Sequence, residues 1–159
     1  MAVVGTFVAN TVPSALELNQ PFGVCVLSTT TAQTFANGIA AGISFNITTD
    51  EVLDPLGWHT GTGPQITPTI AGWYLITGTW MLATGSGTSS LLLLMFNGTY
   101  RTISSGGLGA AGVNTAQSLT DVVFLNGTTD YIALVGSQNS GASVNTRKAI
   151  FTATLIRGA

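Results

Sequence analysis

Charged side chains are scarce in this 159-residue sequence. Only 6% of the residues are Asp, Glu, Lys or Arg, against about a quarter in an average soluble domain. Four cationic residues and a net charge of −2 supply too little positive charge for the phosphate contacts on which nucleic-acid binding depends. We therefore expect no nucleic-acid partner.

Long hydrophobic runs are also missing. The longest uninterrupted apolar run covers residues 91–96, about a third of the ~20 residues that a membrane-spanning helix needs. We expect no membrane insertion. The hydrophobic residues, 45% of the chain, must then be buried inside the fold or against other copies of it, while Ser, Thr, Asn and Gly cover part of the surface.

The sequence has few of the residues on which catalytic and metal centres are built. The only cysteine, Cys25, can form neither an intrachain disulfide nor a cysteine metal cluster, and its apolar neighbours predict a small buried side chain. The only histidine, His59, follows the acidic residues Asp50, Glu51 and Asp54. Their spacing matches no ligand signature, so we interpret this segment as a solvated loop, with a metal site as the alternative. No Gly-X-Ser-X-Gly nucleophile elbow occurs, and we predict no enzyme and no cofactor.

The two ends of the chain differ in their expected organisation. Residues 1–21 are predicted to form an N-terminal arm that could anchor to a neighbouring subunit, and residues 22–159 to form one domain. No basic residue precedes the first apolar residues, so we expect no secretory signal and synthesis in a cytoplasm. Helical signals are confined to residues 15–18, between two prolines.

Short β-branched and aromatic segments, separated by glycine and other turn residues, predict an all-β chain. The expected strands cover residues 22–28, 39–47, 65–69, 72–83, 91–96, 99–104, 119–125, 131–137 and 150–156. In residues 39–47 the large apolar side chains fall on one parity, which is typical of a half-buried strand. Residues 91–96 do not alternate, which predicts that both faces of this strand are covered.

Two Asn-Gly pairs, Asn97-Gly98 and Asn126-Gly127, lie directly after expected strands. A two-residue hairpin turn of the primed type needs a positive φ at both central positions, which Asn tolerates and Gly adopts freely. Both pairs therefore predict hairpin turns. The glycine-rich stretch of residues 104–112 precedes no helical pattern, so we interpret it as a surface loop and not as a phosphate-binding loop.

Four segments taken in order carry a family resemblance. Ala71-Gly-Trp-Tyr-Leu-Ile76 opens the longest strand, Leu91-Leu-Leu-Leu-Met-Phe-Asn-Gly98 follows, Asp130-Tyr-Ile-Ala-Leu134 comes directly after the second Asn-Gly pair, and Phe151-Thr-Ala-Thr-Leu-Ile156 closes the chain. From about residue 22 onward the sequence resembles the globular head of complement-type proteins, which is a tumour-necrosis-factor-like jelly roll. It is especially similar to the versions found in structural proteins of tailed bacteriophages.

The resemblance implies a two-sheet antiparallel jelly-roll sandwich of about ten strands, and an obligate homotrimer packed through one of the sheets. It makes Tyr74 and Phe151 candidates either for the trimer face or for the core. Metazoan members of the family follow a collagen stalk or a signal. Neither is evident in this sequence, which favours the bacteriophage branch.

The resulting functional prediction is a non-enzymatic homotrimer on the surface of a bacteriophage virion, foremost a capsid decoration or head-surface protein that contacts the major capsid or tail proteins. The alternative is a tail-tip or fibre adhesin that binds a host-surface glycan or receptor. In that case Trp58 and Tyr100 are candidates for stacking on sugar rings, although the same aromatic residues could instead cap the core. The missing signal disfavours a third role, that of a secreted cytokine-type ligand.

Overall fold

The computed structural model describes residues 23–83, 89–107 and 114–159. The described residues form β-strands joined by turns, without a helix. The predicted N-terminal arm of residues 1–21, its helical signal at 15–18, and Phe22 lie outside the described residues, as does most of the glycine-rich stretch.

The strands are antiparallel and belong to two larger sheets and one small one. They are β1 (Val24–Thr29), β2 (Thr34–Phe35), β3 (Ala41–Gly42), β4 (Phe45–Asn46), β5 (Glu51–Leu53), β6 (Thr62–Gly63), β7 (Gln65–Ile66), β8 (Gly72–Leu82), β9 (Ser89–Phe96), β10 (Thr99–Gly106), β11 (Thr115–Leu125), β12 (Ile132–Asn139) and β13 (Val144–Gly158). The six-stranded sheet has the order β11-β8-β13-β1-β5, with β2 on β13, and the five-stranded sheet the order β10-β9-β12-β3, with β7 on β12. Strands β4 and β6 pair with each other. The all-β class and the antiparallel arrangement are confirmed.

The predicted strand at residues 39–47 is wrong as a single element. Gly42 of β3 pairs with Val135 of β12. Two residues later, the backbone of Ser44 bonds to the side-chain amide of Gln33 instead. The amide oxygen accepts a 2.9 Å hydrogen bond from the Ser44 N–H, and the amide nitrogen donates to the Ser44 carbonyl. The chain then changes partner, and Phe45 pairs with Gly63. A side chain that is remote in sequence thus takes the backbone bonds that a continuous strand would use.

The first Asn-Gly pair forms the predicted turn. Asn97 and Gly98 connect β9 to β10 with φ angles of 48° and 82°. Positive φ at both central residues of a two-residue hairpin is the type I′ geometry, whose twist matches that of the strands. This prediction is confirmed.

The second Asn-Gly pair does not form a hairpin. It follows β11 of the six-stranded sheet, and the next strand, β12, belongs to the other sheet. The side-chain oxygen of Asn126 accepts hydrogen bonds from the N–H groups of Thr128, Thr129 and Asp130 at 2.9, 2.9 and 3.1 Å, while Gly127 has a φ of 73°. The Asn side chain therefore organises a loop that crosses between the sheets.

Glycine residues allow large side chains of one sheet to pack closely against the backbone of the other. A Cβ atom on Gly136 of β12 would lie 2.8 Å from ring atoms of Trp80 on β8. A Cβ atom on Gly78 of β8 would lie 2.5 Å from a methyl group of Leu134 on β12. The Trp80 ring also packs edge-to-face on Phe35, with 5.0 Å between centroids. Each sheet thus leaves a gap that a large side chain of the other sheet fills.

The expected cover on both faces of residues 91–96 is found at the centre of β9. Leu92 and Leu94 face the core and are fully buried. On the opposite face, Leu93 is only 4% exposed and lies beside Val135 of β12, which is 3% exposed. Both faces at the middle of this strand are therefore covered within the single chain.

Gly136→Ala is predicted to lower the free energy of unfolding by about 1–3 kcal/mol, because the added methyl group collides with the Trp80 ring in a packed interior. Denaturant unfolding of both proteins measures this difference. Gly107→Ala is the control, since a Cβ atom there meets nothing within 4 Å among the described residues. If the two substitutions left stability equally unchanged, the close approach of the sheets would be wrong.

Candidate functional site

An apolar patch lies on the outward side of the six-stranded sheet and consists of Trp73, Leu75, Val122 and Phe124. Val122 is opposite Leu75 and Phe124 opposite Trp73 in the pairing of β8 with β11. Trp73 is 45% exposed and Phe124 41% exposed. Their rings contact edge-to-face with 5.6 Å between centroids. Contiguous exposed apolar side chains of this kind mark an interaction surface.

The alternation of β8 explains why these side chains point outward. Successive side chains of a strand point to opposite faces of the sheet. Tyr74 and Ile76 are fully buried in the core, so Trp73 and Leu75 must lie on the other face. A solvated outer face would carry polar residues at these positions.

The middle of this outward face is uncharged and rich in hydroxyl groups. The hydroxyl oxygens of Thr77 and Thr152 lie 2.6 Å apart, and those of Thr79 and Ser118 lie 3.2 Å apart. Lys148 and Arg157 pair with Met81 and Trp73 at opposite ends of β8. Between Leu75 and Thr79 of β8, the outward residues of the two neighbouring strands are all uncharged. They are Ser118, Thr120 and Val122 of β11 and Ile150, Thr152 and Thr154 of β13.

The structure places Tyr74 and Phe151 in the core, between the two sheets. Both side chains are fully buried. The Tyr74 hydroxyl donates a 2.6 Å hydrogen bond to the Ile70 carbonyl, and Phe151 stacks on Phe45 with 6.3 Å between centroids. The sequence left open whether these aromatic residues face the core or another copy, and the structure favours the core. Trp73 and Leu75, on either side of Tyr74, were not predicted as site residues. The alternation within residues 72–83 nevertheless indicates that they face away from the core.

Of the two aromatic residues considered for sugar stacking, only Tyr100 is accessible. Trp58 is 1% exposed, packs edge-to-face on Tyr74 at 5.5 Å and donates from its ring nitrogen to the Thr69 hydroxyl at 3.0 Å. Its ring therefore offers no face to a sugar. Trp58 instead belongs to the core, which was the alternative considered for it. Tyr100 is 52% exposed on β10, and its role in stacking stays a prediction.

The interpretation of the acidic segment before His59 as a solvated loop is wrong for two of its residues, although Glu51 is exposed as expected. His59 and Asp50 are buried. The Asp54 carboxylate accepts a 2.7 Å hydrogen bond from the backbone N–H of His59, and the Asp50 carboxylate accepts one at 2.8 Å from the backbone N–H of Asn46. These carboxylates hold turns in place. The described residues contain no group of three or more His, Cys, Asp and Glu side chains arranged to hold a metal ion.

Cys25 is a buried thiol on β1 and faces the core. Burial raises the pKa of Cys25, and the negative charges of Asp54 and Glu51 raise it further. The thiolate, which is the nucleophilic form, is therefore disfavoured at this position.

One ion pair joins the two larger sheets at their β10 and β11 edges. The Arg101 guanidinium lies 2.9 Å from the Asp121 carboxylate and also donates to the Val122 carbonyl at 3.2 Å. Burial alone would raise the pKa of Asp121. Hydrogen bonds from Thr102, Val122 and Arg101, together with the Arg101 charge, outweigh burial and lower it. The pair is partly exposed, so its contribution to stability is small.

Solved structures of several proteins share this arrangement. The globular domain of zebrafish complement 1qA matches with a TM-score of 0.63 and 14% identity, over 88% of this chain and all of that one. Murine APRIL matches with a TM-score of 0.57 and 11% identity over 83% and 99% of the two chains. The vertex protein P5 of PRD1 matches with a TM-score of 0.57 and 14% identity over 86% and 99%. The chain has the tumour-necrosis-factor-like jelly-roll fold.

The predicted resemblance is thereby confirmed at the level of the fold. No family model matches the sequence of this jelly roll, and neither does the sequence of any curated protein. Within the described ranges, no helix is long and apolar enough to cross a membrane.

Tyr74 predicts a specific loss of stability in alkali. Burial raises the pKa of Tyr74 from its ordinary value of 10.0 to about 12, so the unfolded chain releases this proton at a lower pH than the folded chain. The stability linked to Tyr74 is therefore full below about pH 10 and is lost as the pH rises toward 12.

The matched variant is Tyr74→Phe, which also removes the hydrogen bond to Ile70 at a cost of about 1 kcal/mol at neutral pH. Unfolding free energies measured across this pH range should fall less steeply for the variant than for the wild type. Parallel curves would show that Tyr74 is not a buried, neutral phenol.

Proposed function

We propose that this chain works as a homotrimeric structural protein whose copies associate through the outward face of the six-stranded sheet. The observation that carries the proposal is the exposed apolar patch of Trp73, Leu75, Val122 and Phe124. Complement-type and tumour-necrosis-factor-like proteins form homotrimers. The patch supplies the apolar surface that such an association would remove from water.

The charge distribution supports other copies of the same chain as the partner. In a closed symmetric assembly, equivalent residues of all copies are brought near a common axis. Charged side chains at the centre of the face would then repel their own equivalents. The centre is instead occupied by hydroxyl and apolar groups, and Lys148 and Arg157 lie at its ends.

A structural role is also supported by the state of the reactive side chains. The Cys25 thiol is buried and its pKa is raised. His59 is buried as well, and one of its ring nitrogens lies 3.3 Å from the Gly63 carbonyl oxygen. Neither group reaches a substrate in solvent, which supports a non-enzymatic function.

For the location of the trimer, we favour the surface of a bacteriophage virion, and foremost the capsid as a decoration or head-surface protein. The similarity to the vertex protein P5 of PRD1 supports this choice. The major capsid protein or a tail protein would be the partner within the particle. Residues 1–21, proposed as an arm ahead of a domain of residues 22–159, provide a segment for such an attachment.

Light scattering of the purified chain at micromolar concentration is predicted to give about three times the chain mass of 16.3 kDa. Trp73→Asp and Phe124→Asp should each produce folded species of lower mass, because a carboxylate would be desolvated in the contact. The matched control is Ile103→Asp, which changes a residue that is 59% exposed on the five-stranded sheet and should leave the mass unchanged. A wild-type mass of 16.3 kDa would overturn the proposal.

Quantitative mass spectrometry and antibody labelling of intact particles test the proposed location. A capsid decoration should be present in on the order of hundreds of copies, since it repeats with the symmetry of the shell. Labelling confined to the tail, with only a few copies per particle, would favour the adhesin alternative. Absence from purified particles would reject both.

A further inference from the structure

A polar cleft of about 300 Å³ lies at β6 and β7, neither of which belongs to the six-stranded sheet. It is lined by Thr60, Thr62, Gly63, Pro64, Gln65 and Thr67. These residues belong to β6, β7 and the segments on either side of them. The volume is at the small end of the range found for ligand sites, about 300–1,000 Å³.

The cleft collects polar side chains that have no hydrogen-bond partner among residues 23–83, 89–107 and 114–159. The hydroxyl groups of Thr60, Thr62 and Thr67 and the amide of Gln65 make no side-chain hydrogen bond to any described residue. Elsewhere in the structure, Thr77 and Thr146 use their hydroxyl groups in hydrogen bonds within the chain. The cleft therefore offers several free donors and acceptors within one small volume.

The walls of the cleft are held by the core. The N–H of Thr67 donates to the Trp58 carbonyl at 2.8 Å, and the Pro64 carbonyl accepts from the Leu134 N–H at 3.3 Å. The Pro64 ring packs so closely on Gly42 that a Cβ atom there would lie 2.7 Å from it. Because buried neighbours fix the backbone, little ordering of the site would oppose binding.

The lining determines the class of ligand. It contains no charged side chain, so an ionic ligand would find no counter-charge to replace its hydration. Three hydroxyl groups and one amide match a ligand with many hydroxyl groups of its own, and the Pro64 ring supplies an apolar surface for carbon-bound hydrogens. We propose that this cleft binds a neutral sugar, as a monosaccharide or as a unit of a longer glycan. All of the lining belongs to one chain, so the proposal does not depend on the homotrimer.

Saturation-transfer NMR on the full-length protein tests the site with a panel of neutral monosaccharides and disaccharides, and with N-acetylneuraminic acid as the charged probe. At least one neutral sugar should bind saturably, and the charged probe should not bind. Thr62→Val, which keeps the side-chain shape, and Gln65→Ala should each weaken that binding by about fivefold or more, as expected for the loss of one hydrogen bond. Thr99→Val, an exposed substitution on β10, is the matched control and should bind as the wild type does.

The proposal is overturned if no neutral sugar binds at millimolar concentration, if the charged probe binds as well as the neutral sugars, or if both cleft variants bind with wild-type affinity. Circular dichroism shows whether each variant is folded, and two independent substitutions keep the test decisive if one of them is not. The mass measured by light scattering is a separate result, so failure of sugar binding can be distinguished from failure of the homotrimer.

Discussion

The alternation of side chains along β8 is the constraint on which the rest of the structure depends. Tyr74, Ile76 and Trp80 point inward and fill the space between the sheets. Adjacent residues of a strand must face opposite ways, so Trp73 and Leu75 point outward although they too are apolar. Where a strand carries large apolar residues on both faces, as β8 does from Trp73 to Ile76, it needs a cover on each side. The five-stranded sheet provides the first cover, and we infer that other copies of the chain provide the second.

The same constraint gives the low charge of the chain a physical role. A sandwich that was solvated on both outer faces would carry polar and charged residues along its strands. Here the Arg101–Asp121 pair lies at a sheet edge, and Lys148 and Arg157 lie at the two ends of the outward face. The centre of that face is therefore free of charged groups, which are the most costly to remove from water.

Local patterns were sufficient to predict much of the fold. The apolar and β-branched runs located β8 and β9, and positive φ at Asn97-Gly98 followed from the chemistry of a primed turn. Long-range partners decided what the local pattern could not. The Gln33 side chain divides the segment around Ser44, and the sheet crossing after β11 turns Asn126-Gly127 into a loop.

The candidate sites were less predictable, because each depends on which face or which neighbour a residue meets. The sequence identified Tyr74 and Phe151 as aromatic residues of importance without assigning their side of the sheet. Burial of Trp58 and His59 depends on the packing of a loop against the core. The cleft residues are close in sequence, between Thr60 and Thr67, but β6 and β7 pair with different strands, β4 and β12, and no motif signals that arrangement.

Quenching of tryptophan fluorescence by acrylamide tests the central inference most directly. Of the three tryptophans, Trp58 and Trp80 are each 1% exposed within a single chain, whereas Trp73 is 45% exposed. If other copies cover the outward face, the assembled protein should resist quenching, and a quenchable fraction should appear as dilution separates the copies. Ready quenching of Trp73 in concentrated protein, unchanged on dilution, would show that solvent covers this face and would contradict the account.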